Sequence, residues 1–123
     1  MGKTKTIEVS IHSLRTTYTE DDVWLKKYQE VVGTGVEYHP NYLCLKGDDS
    51  FLREWFQSLG LDWEERKSQI IELFEDIKDN GIKEPIKIYK DMKINTGHKR
   101  ACIALFLGQE LIRAEIVQDD YKL

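Results

Sequence analysis

The residues best suited to chemistry lie in the run Ile94-Asn95-Thr96-Gly97-His98-Lys99-Arg100-Ala101. Here a short strand passes through a glycine into the basic start of an apolar helix, so the helix cap falls at Thr96 or Gly97. The first amides of such a helix have no acceptor within the helix and point outward. They add to the positive pole of the helix dipole, which invites an anion. Lys99 and Arg100 sit in this first turn, where cations cost a few tenths to about 1 kcal/mol and acids would stabilise. A bound phosphate reverses that sign: arginine offers a bidentate fork and lysine a point charge. The turn therefore predicts phosphate contacts from Thr96, Gly97, His98, Lys99 and Arg100, with a solvated basic helix end as the plainer alternative. A glycine followed by basic residues is a weaker signal than a complete Walker motif.

The elements that must carry this turn can be read from hydrophobic period and punctuation. Ile7, Val9 and Ile11 alternate with polar residues as in a half-buried strand. Thr19 followed by Glu20, Asp21 and Asp22 reads as a helix start, with a hydroxyl cap and acids at the dipole's positive end. Trp24, Tyr28 and Val31 then repeat at helical spacing, and Gly33 or Gly35 ends that helix. Between Val36 and Leu45 the pattern is weak. A short strand over Tyr42 to Leu45 is expected after a Pro40-Asn41 turn, and Tyr38, His39 and Tyr42 read as a loop packing its rings on the core, with pocket lining as the alternative. Ser50 is placed to cap a short helix carrying Phe51, Leu52, Trp55, Phe56 and Leu59, closed by Gly60.

The clearest helix follows. Asp62 and Glu65 have capping-box spacing, Trp63, Ile70, Phe74 and Ile77 share a face joined by Ile71 and Leu73, and Asn80-Gly81 supplies the stop. Pro85 to Tyr89 alternates as a strand, Lys90 to Lys93 turns, and Lys93 to Asn95 returns. A helix from His98 to about Leu107 closes at Gly108, a last strand spans Ile112 to Val117, and Asp119 to Leu123 is a polar tail.

Composition bounds the reading. At 123 residues, 41% hydrophobic and 33% charged, the chain suits one globular domain with a single core. A net charge of −4 and a pI of about 5.4 weigh against a general nucleic-acid binder. Cys44 and Cys102 are far apart with no metal-ligand spacing, so they read as reduced thiols, and no metal site is assigned. No apolar run approaches a membrane span, and Met1 to Ile11 lacks the apolar core of a signal peptide, so a cytoplasmic protein without membrane partners is expected.

Asn80-Gly81-Ile82 with Pro85-Ile86, then Gly97, Arg100 and alanine at 101 or 104, then Leu107-Gly108, stand in fixed order. This order resembles the ParB/sulfiredoxin superfamily, with its "S-I-x-x-x-G-I-x-x-P-I" box, hairpin, and "G-x-x-R-x-x-A" helix start. The match is strongest over residues 70–117 of a single domain spanning 1–123, and residues 36–60 read as an elaboration on the family pattern. The resemblance implies an α/β (α+β) fold in which a small mixed sheet is flanked by helices. It also implies that Gly97, Lys99 and Arg100 hold nucleotide phosphates, with His98 near the reacting centre. Partition proteins carry Glu at that position, sulfiredoxins the reactive Cys, and free-serine kinases a Gly-His-His-Arg turn, which is the nearest to this chain. The kinases have Asp before the glycine where Thr96 stands here, and no helix-turn-helix follows the last strand as in partition proteins.

The leading expectation is a nucleotide-dependent phosphotransferase or nucleotide hydrolase acting on a small molecule, using ATP or CTP as tri- or diphosphate, with Mg²⁺ as a further expected component. His98 and Glu84 are its candidate catalytic residues, and Glu20, Asp21 and Asp22 are further candidates for a base or metal ligand. The alternatives are a ParB-like DNA-associated module, nuclease-like or regulatory, and a non-catalytic domain that binds a nucleotide or a protein.

Overall fold

The computed structural model describes residues 5–117, and the expected polar tail from Asp119 to Leu123 and residues 1–4 lie outside them. Four strands form one sheet in the order β1-β4-β2-β3. Strand β1 (Thr6–Ser10) runs antiparallel to β4 (Leu111–Ile116), which runs parallel to β2 (Ile86–Ile88). Strand β3 (Ile94–Thr96) then pairs antiparallel with β2. The architecture is the expected α+β one, a small mixed sheet with helices around it.

The strand periods explain the pairing. Ile86 and Ile88 are buried on either side of exposed Lys87, and Ile112 and Ala114 are buried while Leu111 and Arg113 face out. A one-residue slip would send every one of these apolar groups to the wrong face. Helix α5 (His98–Phe106) lays Ala101, Cys102 and Ala104 against the sheet, and these small side chains let the helix approach closely. Ile11 and Leu14, from the 3-10 turn Ile11–Ser13 and the residue after it, complete the main core.

Several boundaries differ from those the sequence suggests. Helix α1 (Val23–Val32) starts at Asp22 and not at Thr19: the Asp22 carboxylate accepts from the Leu25 amide at 3.1 Å. Thr19 instead accepts from the Asp22 amide in a preceding turn. The run Thr-Glu-Asp-Asp holds several competent caps, and a tertiary bond decides among them: Trp55 Nε1 donates to Asp22 at 2.8 Å. Residues Pro40–Leu45 form helix α2, not a strand. Proline at the first helical position presets the backbone angle, and the His39 ring accepts from the Asn41 amide at 3.1 Å, an imidazole serving as cap. Helix α3 (Ser50–Ser58) is preceded by Asp49 as its cap residue, and Ser50 is its first residue, bonded to Asp48 through both amide and hydroxyl.

Helix α4 (Trp63–Asn80) begins at Asp62, which accepts from the Glu64 amide, and stops at Gly81 with φ 75. Its Ile70 and Ile77 are buried, whereas Ile71 is 49% exposed and off that face. Leu52, Phe56 and Ile70 make a small second cluster, edged by Trp55 and Trp63. Residues 36–58 therefore dock through their own apolar contacts, with α2 against α5 on one side and α3 on the other. No helix among the described residues is long and apolar enough to cross a membrane.

Candidate functional site

A cleft of about 710 Å³ opens at the N-terminus of α5. Its rim on that side is the whole predicted turn, Thr96 through Arg100. Gly97 is the helix cap, with φ 110 and ψ 22. A side chain there would be strained in this left-handed conformation and would drive a Cβ to 2.7 Å from Ile86 Cβ in the core. Glycine is thus required for the turn to lie on β2.

The basic residues of the turn are arranged differently from each other. Lys99 is half-buried and forms no ion pair among the described residues. Burial, and then the neighbouring charge of Arg66, holds its ammonium below the usual lysine range. Arg100 donates through Nη1 to the carbonyls of Glu84 at 2.9 Å and Pro85 at 3.1 Å, tying α5 to the entry of β2. Its Nε and Nη2 make no hydrogen bond among the described residues.

His98 has a fixed protonation pattern. Its Nε2 lies 3.1 Å from the Thr17 amide, which can only donate, so Nε2 is an acceptor. The Thr17 hydroxyl also stands 3.2 Å from Nε2, but its hydrogen goes to the Ile94 carbonyl at 2.7 Å. The ring is therefore neutral with its proton on Nδ1, and burial pulls its pKa down to about 4. Thr17 is brought here because the chain after β1 runs beside β3: the Ile94 amide donates to Arg15, and the Thr16 amide to Thr34. At neutral pH His98 can donate a hydrogen bond from Nδ1, while its one basic nitrogen is already engaged.

The opposite wall comes from the segment read as an elaboration. His39 and Asn41 are buried and line the cleft, together with partly buried Trp55. The His39 and His98 rings are 5.6 Å apart, and His39 stands edge-on to Trp55 at 5.7 Å. Desolvation, and then the nearby His98, keeps His39 neutral well below the ordinary histidine range. Of the expected aromatic cluster only His39 lines the cleft; Tyr38 is 47% exposed and Tyr42 packs against the main core.

The acids are not gathered as a catalytic set. Glu84 is exposed and outside the cleft lining, contributing only its carbonyl to Arg100. Glu20 and Asp21 are exposed as well. Asp22 does line the cleft, but one oxygen accepts from the Leu25 amide and the other from Trp55. No group of three or more His, Cys, Asp or Glu side chains among the described residues could hold a metal ion. Cys102, one turn into α5, is buried in the core and its thiol is pushed far up by burial. Among the lining side chains that the sequence did not assign to a site are Thr17, Asn41 and Trp55, whereas His39 takes the pocket-lining place offered as an alternative.

The overall architecture is shared with a known class. The chain superposes on a Pnob8-like ParB-N domain with a TM-score of 0.50 at 12% sequence identity, over 98% of this chain. It spans 31% of that chain's length. This likeness defines a ParB-N-like fold. No family model matches the chain. No curated protein matches it in sequence.

Proposed function

We propose that this ParB-like domain is a nucleotide-binding module whose cleft takes the phosphates of a nucleotide on the Thr96–Arg100 turn. The observation that carries this reading is Lys99: a half-buried cation, crowded by Arg66 and lacking an ion pair among the described residues, in the first turn of α5, whose start has no side-chain cap hydrogen bond among them. A phosphate at that point would neutralise both cations and complete the open Nε and Nη2 of Arg100. Nδ1–H of neutral His98 would add a further donor. Binding is favoured over phosphoryl transfer because Glu84, Glu20 and Asp21 stand away from the cleft lining and both Asp22 oxygens already accept structural hydrogen bonds. Magnesium would have to arrive with the nucleotide, held mainly by its phosphates, since the protein offers no three-ligand set among the described residues.

Calorimetric titration with ATP, ADP, CTP, GTP and inorganic tripolyphosphate, with and without Mg²⁺, tests this. At least one nucleotide and tripolyphosphate should bind, and Lys99→Ala should weaken both by roughly tenfold, the size of one charge-assisted contact. Heat from none of them, with folded protein, overturns the reading. A second reading is the DNA-associated module that the sequence resemblance implies, on a fold the ParB-N likeness supports. Salt-dependent retention of duplex DNA that is lost on Arg100→Ala would support it.

A further inference from the structure

The α2 side of the cleft holds a polar group that neither the fold nor a bound phosphate uses. Asn41 is only 4% exposed and lines the cleft at the second position of α2. Its backbone amide donates to His39, yet its side-chain amide makes no hydrogen bond among the described residues, and Oδ1 is buried without a donor. Buried polar side chains are nearly always paired, so an unpaired amide oxygen, closed to solvent on a residue that lines a cleft, points to a ligand group once the amide turns. A carbonyl oxygen repels phosphate and calls for an N–H or O–H.

The neighbours narrow the choice further. His39 Nδ1 accepts from the Asn41 amide, so the neutral ring carries its proton on Nε2 and is a second donor. His39 lies between the phosphate turn, 5.6 Å from the His98 ring, and the indole of Trp55. The wall thus presents an acceptor and donors next to an aromatic edge, which suits the hydrogen-bonding edge of a heterocycle.

We propose that Asn41 is a base-recognition residue, whose amide oxygen accepts from the exocyclic amino group of an adenine- or cytosine-type base while its amide nitrogen donates to the adjoining ring nitrogen. This rests on the phosphate-binding reading above, since the turn anchors the other end of the same nucleotide. An asparagine amide reads an amino-bearing base edge in this bidentate way. Rotation about the terminal torsion of the side chain is soft, so the amide can be presented without moving α2.

The test compares nucleotides that keep or lack the amino group. ATP is titrated against purine ribonucleoside triphosphate, which lacks only the 6-amino group, CTP against its 4-deamino analogue, and GTP, UTP and tripolyphosphate complete the set. The amino forms should bind roughly 5- to 100-fold more tightly than their deamino partners, the discrimination of one bidentate amide–base pair. Asn41→Leu, checked for folding by its thermal transition, should erase that preference. Should the variant fail to fold, the amino-against-deamino comparison on the natural chain decides alone. Equal binding of amino and deamino forms, a preference for GTP or UTP, or a preference that survives Asn41→Leu overturns the proposal while tripolyphosphate still binds. Failure of every ligand including tripolyphosphate overturns the phosphate reading, and the base assignment with it.

Discussion

Replacing Gly97 by alanine tests how the site is built, and a second glycine supplies the control. Gly97 and Gly47 have the same φ of 110, but an added Cβ meets the Ile86 side chain at Gly97 and nothing within 4 Å at Gly47. The left-handed conformation costs an alanine about 1–2 kcal/mol at either place. The smaller entropy of the unfolded alanine chain returns about 0.4–1 kcal/mol. Gly47→Ala should therefore destabilise by about 1 kcal/mol. At Gly97 the new methyl must also displace Ile86, which is fully buried beneath α5 in the main core and cannot swing away. Overpacking of this kind adds about 1–3 kcal/mol, so Gly97→Ala should lose about 2–4 kcal/mol. For a domain of this size the corresponding fall in Tm is roughly 3–5 °C per kcal/mol. Urea unfolding of the three proteins side by side gives the comparison. Equal losses at the two glycines would show that Ile86 does not confine the turn, and would refute the packing argument.

Other perturbations read separate parts of the structure. His98 is held at about 4, below its ordinary 6.5, so the unfolded chain takes up the proton first as pH falls. Stability should thus be complete above about pH 6.5 and decline toward pH 4, by up to about 3 kcal/mol for this group, with His39 adding in the same direction. A urea midpoint that stays constant between pH 7 and 4.5 would contradict this. Cys102, buried with its thiol pushed far up, should resist alkylation in the folded protein, while the less buried Cys44, raised to a smaller degree, reacts slowly and both react freely in denaturant. Trp55→Phe deletes the 2.8 Å bond to the Asp22 carboxylate and should cost about 1.5–3 kcal/mol, read by thermal unfolding; no loss would mean Asp22 needs only its bond to the Leu25 amide. Arg100→Lys should lose stability as well as phosphate affinity, because one ammonium cannot reproduce a fork that serves two carbonyls and still faces the cleft.

The segment most legible in the sequence is the one whose structure is local. The helix stop at Gly81, the hairpin around Met92, and the glycine-capped start of α5 follow from backbone chemistry within a few residues, and all stand where their spacing placed them. The strands themselves follow from the alternation in Ile86–Ile88 and Leu111–Ile116, while their mixed pairing was what the family resemblance implied. The α+β fold was thus expected from the resemblance, and the run Thr96 through Arg100 stands in one turn because it is contiguous in the chain. Where several local signals competed, only packing chose among them. Asp22 caps α1 because Trp55, 33 residues on, also bonds to it, and Tyr42–Leu45 is helical because His39 and Pro40 start a helix that packs on α5. Apart from His39, which the sequence offered as pocket lining in the alternative, the far wall of the cleft was beyond the sequence for the same reason. Thr17 meets His98 across 81 positions, and His39 and Asn41 reach the basic turn only because α2 docks on α5. Those contacts depend on apolar faces closing around a common core, and no residue spacing along the chain encodes the meeting. The sequence determined the glycine-capped basic turn at the start of α5; the tertiary structure decided what faces it.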